Sequence, residues 1–242
     1  MNLVIDAGNT HIKFAVFRRD VLLHVETSPE AGFADHIKSL FEQYPNIERA
    51  IISSVSNLQD YAADVVSVFC EVYVLSPRSK IPFKNSYATP QTLGPDRLAL
   101  ATAAFYENPK GNTLVIDAGT CITYDMVNDY GEYLGGAISP GLYMRYNALH
   151  EFTERLPKLT PENILDFIGN ATESSIHSGV VNGLCLEIDG VIEQYKSRFQ
   201  DLTVILTGGD AQFLSKRLKS TIFAHSNFLL KGLNQLLDYN KS

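Results

Sequence analysis

The sequence predicts an α/β protein of two duplicated lobes, each a mixed sheet of βββαβα type flanked by helices. Three observations carry that expectation. The hexapeptide Leu3-Val4-Ile5-Asp6-Ala7-Gly8 recurs unchanged as Leu114-Val115-Ile116-Asp117-Ala118-Gly119, at an offset of 111 residues. Each copy is followed within two residues by a threonine, Thr10 or Thr120, and then by a second apolar run. The chain has 242 residues, 45% of them hydrophobic, which is enough for two lobes to bury a core without disulfide staples.

Taken in order, short β-rich runs over 3–5, 12–17 and 21–26 are separated by turn-length gaps and predict an antiparallel meander. Apolar residues at helical spacing predict a helix over 33–44, closed by Pro45 and Asn46. A buried strand over 50–53, an amphipathic helix over 58–69 and a strand over 72–75 complete the first pattern. Gly94-Pro95-Asp96-Arg97 opens a further helix, expected to begin near Leu98. The connector Asn108-Pro109-Lys110-Gly111-Asn112 is rich in turn residues, so the lobes are expected to divide as 1–107 and 108–242. The second pattern starts with strands over 114–116, 122–127 and 132–137. Helical segments follow near 141–154, 174–199 and 210–218, with a strand over 203–206 and a last helix near 226–239.

Composition narrows the function classes. Twenty basic against 27 acidic side chains give a net charge of −7, a solubility charge where a nucleic-acid scaffold shows a basic stripe. Cys70, Cys121 and Cys185 are too few and scattered for a disulfide framework or zinc knuckle. Asp6 and Lys13 interrupt the apolar N-terminus, unlike a secretory signal, and no apolar run approaches the ~20 residues that span a bilayer. The expectation is a soluble, cytoplasmic protein with neither membrane nor nucleic acid as partner. On that expectation Asn170-Ala171-Thr172 is not a glycan site.

Three loops carry candidate chemistry. In Asp6-Ala7-Gly8-Asn9-Thr10 a strand ends in a carboxylate, and small residues let backbone N–H groups and hydroxyls reach an oxyanion. One such copy reads equally as a hairpin whose Asp and Asn bond their own turn. Two copies at duplicated positions favour a pair of phosphate loops, with Asp6 and Asp117 available to a metal-bound polyphosphate. Leu206-Thr207-Gly208-Gly209-Asp210-Ala211 is a glycine corner between strand and helix. Gly208 and Gly209 there allow close approach by an adenosine group, though such corners are also common without a ligand. In Gly94-Pro95-Asp96-Arg97 the aspartate is either a helix cap or, beside phosphate loops, a base for a substrate hydroxyl, with Arg97 as a cation for a substrate anion.

Other residues are quieter. The sequence lacks GxxxxGK[ST], a strand-following GxGxxG, HExxH and CxxC. Its six histidines have no metal-ligand spacing, and Cys121 has no partner suggesting a nucleophile. Tyr143, Tyr146 and His150 lie at helical spacing and read as packing residues.

The segments DAGNTHIK (6–13), GPDR (94–97), DAGTCITYD (117–125), GGAISPG (135–141) and TGGDA (207–211) together resemble type III pantothenate kinase, within the acetate kinase/Hsp70/actin superfamily. The resemblance runs in order over nearly the whole chain, and the combination is specific where DAG or TGGDA alone is not. It implies duplicated actin-like (ribonuclease H-like) lobes. It also implies ATP-dependent phosphorylation of pantothenate to 4′-phosphopantothenate, the first step of coenzyme A biosynthesis. On the same resemblance, Asp6, Ala7, Gly8, Asn9, Thr10, His11, Ile12 and Lys13 form the ATP phosphate loop, with Thr120 a second nucleotide contact. Asp96 is the general base, and Gly94, Pro95, Asp96 and Arg97 form the pantothenate turn, joined by Tyr87 and Thr172. Asp117 is a ligand of a monovalent cation, K⁺ or NH₄⁺, while Mg²⁺ enters with ATP near Asp6. A homodimer is implied as well. Ile176 departs from the small residue expected after Thr172. A non-catalytic regulatory relative (a transcription accessory factor) and another superfamily phosphotransferase are the alternatives. Joint retention of Asp6, Asp96, Arg97, Asp117 and Thr120 weighs against the first, and the GPDR and Thr172 matches weigh against the second.

Overall fold

The computed structural model describes residues 1–8, 11–54, 59–164 and 166–241. They form a mixed α/β protein that divides into two compact units, Met1–Glu107 with Phe228–Ser242, and Asn108–Asn227.

In the first unit, β1 (Asn2–Ala7) lies between antiparallel β2 (Ile12–Arg18) and parallel β4 (Arg49–Ser54). The antiparallel β3 (Val21–Ser28) and parallel β5 (Glu71–Val74) extend the sheet to the order β3-β2-β1-β4-β5. Side chains alternate across a strand, so β1 has two faces. Leu3, Ile5 and Ala7 pack with Phe14 and Val16 against α1 (Phe33–Gln43) and α2 (Gln59–Ser67). In α1 the buried residues Phe33, Ile37 and Leu40 form one helical stripe. Val4, on the other face, packs with Ala15 and Ile51 against Ala99 of α3 (Pro95–Glu107) and Leu230, Leu233 and Leu237 of α8 (Phe228–Tyr239). A two-residue strand, β6 (Lys84–Asn85), precedes α3.

Two sequence expectations are corrected here. The helix opened by Gly94 begins at Pro95, not near Leu98, because the proline presets a helical φ and the Leu98 N–H already bonds the Gly94 carbonyl at 3.2 Å. Residues 228–242 do not belong with the second lobe, since α8 packs on α3 and β1 of the first. Gly232 permits that contact, because a methyl there would collide with the Ala99 carbonyl oxygen. Asn234 reinforces it, accepting from Asn2 Nδ2 at 2.8 Å and donating to the Arg19 carbonyl at 2.8 Å. The expected helix over 58–69 is α2, and Leu58 lies outside the described residues.

The second unit repeats the arrangement. The central β7 (Thr113–Ala118) lies between antiparallel β8 (Cys121–Val127) and parallel β10 (Thr203–Thr207). The antiparallel β9 (Glu132–Pro140) and parallel β11 (Phe223–Ala224) give the order β11-β10-β7-β8-β9. Leu114, Ile116 and Ala118 pack against α4 (Leu142–Glu151), α6 (Gly183–Lys196) and α7 (Ala211–Ser215). The helix expected over 174–199 is α5 (Thr172–His177), a π-helical turn (Ser178–Asn182) and α6 in succession. The segment expected over 210–218 contracts to α7. Among the described residues, no helix is long and apolar enough to cross a membrane.

Candidate active site

The alternation that buries Val4 against α3 also sends Asp6 to that face, one pleat nearer the strand end. Sheet register then fixes its neighbours: Lys13 stands directly opposite on β2, and Ser53 lies beside it on β4. Asp96, in the first turn of α3, is one helical turn before Ala99, the residue that packs on the Val4 row. The electrostatics register this convergence. Burial pushes the Asp6 carboxyl up to about 6, and Lys13 opposes that rise. Asp96 adds to it, and a hydrogen bond from the Ser53 hydroxyl lowers it. Asp6, Lys13, Ser53 and Asp96 therefore form one polar cluster at the end of an apolar sheet.

The expected phosphate loop leaves β1 here. Ala7 is buried opposite Ile12, and Gly8 and His11 are exposed, with the Gly8 N–H donating to the His11 carbonyl at 3.2 Å. Asn9 and Thr10 lie outside the described residues. Asp96 Oδ1 accepts the Arg97 N–H at 2.8 Å. The Arg97 side chain is buried, its guanidinium carbon 5.6 Å from the Tyr87 ring centroid. That distance fits a cation–π contact and brings two of the expected substrate residues together. Gly94 and Pro95, half-buried, form the turn that carries Asp96.

The second unit places Asp117 at the position equivalent to Asp6, with different neighbours. Thr123 is opposite on β8, and Thr207 is beside it on β10. Thr123 Oγ1 donates at 3.0 Å to Asp125, a fully buried carboxylate that also accepts from the Tyr133 hydroxyl at 2.7 Å. Thr120 is exposed, and its carbonyl accepts the Gly141 N–H at 3.1 Å. Gly208, at φ 95°, packs against the Asp117 carboxylate and the Ala118 carbonyl, where any side chain would clash; Gly209 is exposed. The Asp210 N–H donates to the Ala118 carbonyl at 2.9 Å, tying the glycine corner to the end of β7.

Thr172 belongs to another part of this unit. It is the first residue of α5, at a pocket of about 1100 Å³ that Arg145, Leu149, Phe152, Ile176 and Val180 also line. Ile176 is buried in the core of this unit and lines the same pocket as Thr172. Of the three residues read as packing on α4, Tyr146 is buried and shares a 2.8 Å hydrogen bond with His177. Tyr143 and His150 are exposed, which corrects the packing expectation for them: α4 buries only one face.

Two residues of interest carried no local motif. Arg145 bonds the Pro140 carbonyl at 2.9 Å, Ser139 Oγ at 2.9 Å and Glu187 at 2.6 Å, at the edge of the Thr172 pocket. Its one signal is its place a turn beyond GGAISPG. Ser53 is signalled only by ending an apolar run, as Thr207 does.

Magnesium fits this donor set. A half-buried carboxylate with a second one nearby suits an ion that keeps most of its ligands as phosphate oxygens and water. The described residues contain no group of three His, Cys, Asp or Glu to cage a metal.

Comparison with known proteins places the chain in a family. A family model described as type III pantothenate kinase matches residues 2–194. A type III pantothenate kinase of Christiangramia forsetii is 50% identical over 242 residues, covering 100% of both chains. That of Flavobacterium johnsoniae is 47% identical over 239 residues, covering 99% of this chain and 98% of its own. Among solved structures, a Campylobacter jejuni protein described as a Baf family transcriptional activator superposes with TM-score 0.67 at 22% identity, covering 98% of each chain. A glucokinase from an Antarctic psychrotroph does so with TM-score 0.54 at 15% identity, covering 98% of each. At these identities the two structures establish the shared fold alone.

Proposed function

Because this chain belongs to the type III pantothenate kinase family, we propose that it transfers the γ-phosphoryl group of ATP to the primary hydroxyl of pantothenate, with Asp96 as general base. The observation that carries the assignment is the family match over residues 2–194, and the charge of Asp96 felt at Asp6 supports a place for Asp96 beside the phosphate loop. Residues 6–13 hold the ATP phosphates, and Lys13 contributes positive charge at the level of Asp6. Asp6 would hold the magnesium that accompanies ATP, and the ion would supply charge neutralisation at the transferred group. Asp96 keeps Oδ1 on the Arg97 N–H and takes the hydroxyl proton on Oδ2 as the oxygen attacks. Tyr87 and Arg97 orient pantothenate, and the buried guanidinium suits its carboxylate. Thr120 contacts the nucleotide, and Gly208 and Gly209 lie against its adenosine.

Asp117 is the ligand of a monovalent cation. What supports this reading is the duplication: opposite the carboxylate, the first copy supplies Lys13 and the second the uncharged Thr123. The active form is a homodimer in which Thr172 contributes to pantothenate binding. In its support, Phe152, Phe167 and Ile168 are 85%, 67% and 77% exposed, and Phe152 lines the Thr172 pocket, a display of apolar surface that a second copy would cover. The enzyme works in the cytoplasm.

The test is ADP release, coupled to a reporter, with and without pantothenate, in potassium and then in sodium. Pantothenate-dependent release that needs potassium supports the assignment, and release indifferent to pantothenate overturns it.

A further inference from the structure

Ser53 ends the apolar run Ala50-Ile51-Ile52 on β4 and is 1% exposed. Parallel register sets it beside Asp6, and its hydroxyl donates to the Asp6 carboxylate. The second unit repeats the pattern at the duplicated position. Val204-Ile205-Leu206 on β10 ends in Thr207, 2% exposed and in register with Asp117. Packing at the end of a buried strand is served as well by alanine or valine, and a buried hydroxyl is costly unless it finds a partner. A hydroxyl kept beside the loop carboxylate in both halves therefore points to the carboxylate, not to the core. A free carboxylate samples a broad range about its terminal torsion, and one anchored oxygen narrows that range.

We propose that Ser53 is a positioning residue for the phosphate loop: its O–H holds the Asp6 carboxylate in one orientation, in which it meets the magnesium–nucleotide complex. The proposal rests on the kinase reading, in which Asp6 is the partner of magnesium. It adds a residue that touches neither substrate, acting wholly through Asp6.

The full-length chain and the variants Ser53→Ala, Ser53→Thr, Asp6→Asn and Ser53→Ala/Asp6→Asn separate the two levels. Calorimetry measures Mg·ADP affinity, kinetics measures KM for Mg·ATP and kcat, and thermal melting checks folding. Ser53→Ala is expected to weaken Mg·ADP binding and raise KM about tenfold, as loss of a hydrogen bond to a charged group does, with kcat within about threefold. Ser53→Thr should restore affinity, and Ser53→Ala should add no further loss in the Asp6→Asn background. Wild-type affinity in Ser53→Ala, with binding lost in Asp6→Asn, overturns the proposal and leaves the kinase reading standing. An equal loss in both backgrounds overturns it too, because the serine would then act through packing. Wild-type binding in Asp6→Asn removes the Asp6 assignment and the proposal together. Should the added methyl of threonine prevent folding, the double-variant comparison still decides.

Discussion

Asp6 and Lys13 face each other across β1 and β2, whereas the position opposite Asp117 is held by Thr123. One copy of the duplicated loop thus carries its own cation, and the other carries a neutral hydroxyl. Replacing potassium with tetramethylammonium, a cation too large to sit beside the carboxylate, at constant ionic strength is expected to lower kcat/KM at least about tenfold, since a unit charge beside a half-buried carboxylate is worth on the order of 1–4 kcal/mol. Activity that tracks ionic strength and ignores the identity of the cation would exclude a site at Asp117.

Asp96→Asn keeps the size and the helix-start hydrogen bond of the side chain but cannot accept a proton. It is expected to lower kcat by about 10²–10⁴, the range of general-base contributions, while Mg·ATP affinity stays within about twofold. Near wild-type turnover would remove Asp96 from the role.

Asp6 gives a stability prediction of definite sign. Burial holds its folded pKa at about 6, above the ordinary 3.8, so the folded chain binds this proton more tightly than the unfolded chain. Its contribution favours folding at low pH and is lost as the pH rises from about 4 through 6. Asp6→Asn should therefore melt roughly 5 °C higher than the parent at pH 7.5, melt with it near pH 4, and lose kinase activity. Equal melting temperatures at pH 7.5 would contradict the burial argument.

Gly232→Ala tests the attachment of α8. Helix propensity alone favours alanine by about 1 kcal/mol. The Ala99 carbonyl stands where the methyl would go, so net destabilisation of about 2 kcal/mol is expected in urea unfolding. A raised midpoint would show that the two helices separate without cost.

Much of this was legible in the sequence because it is local. The duplicated hexapeptide marks both central strands, and alternation along Leu3–Ala7 already assigns Asp6 to a face. The pairing of α8 with the first unit was not legible, because it depends on Gly232 meeting Ala99 across more than half the chain, and no periodicity records that. Ser53 was hidden for the same reason. Its neighbour is chosen by parallel register, which needs the tertiary crossover. The two-residue β11 is too short to carry any pattern, and it exists because β10 offers an edge. Pro95 did signal the start of its helix, and the later start near Leu98 misjudged how readily a proline occupies the first turn.

The return of α8 also orders events in time. Residues 108–227 are contiguous, so that lobe has all its parts as soon as they leave the ribosome. The first lobe does not: Val4, Ala15 and Ile51 are covered in part by Leu230, Leu233 and Leu237, which are made after the whole second lobe. The sheet of the first lobe, although synthesised before the second lobe, must wait with one face partly bare, and the second lobe is expected to reach its native form before it.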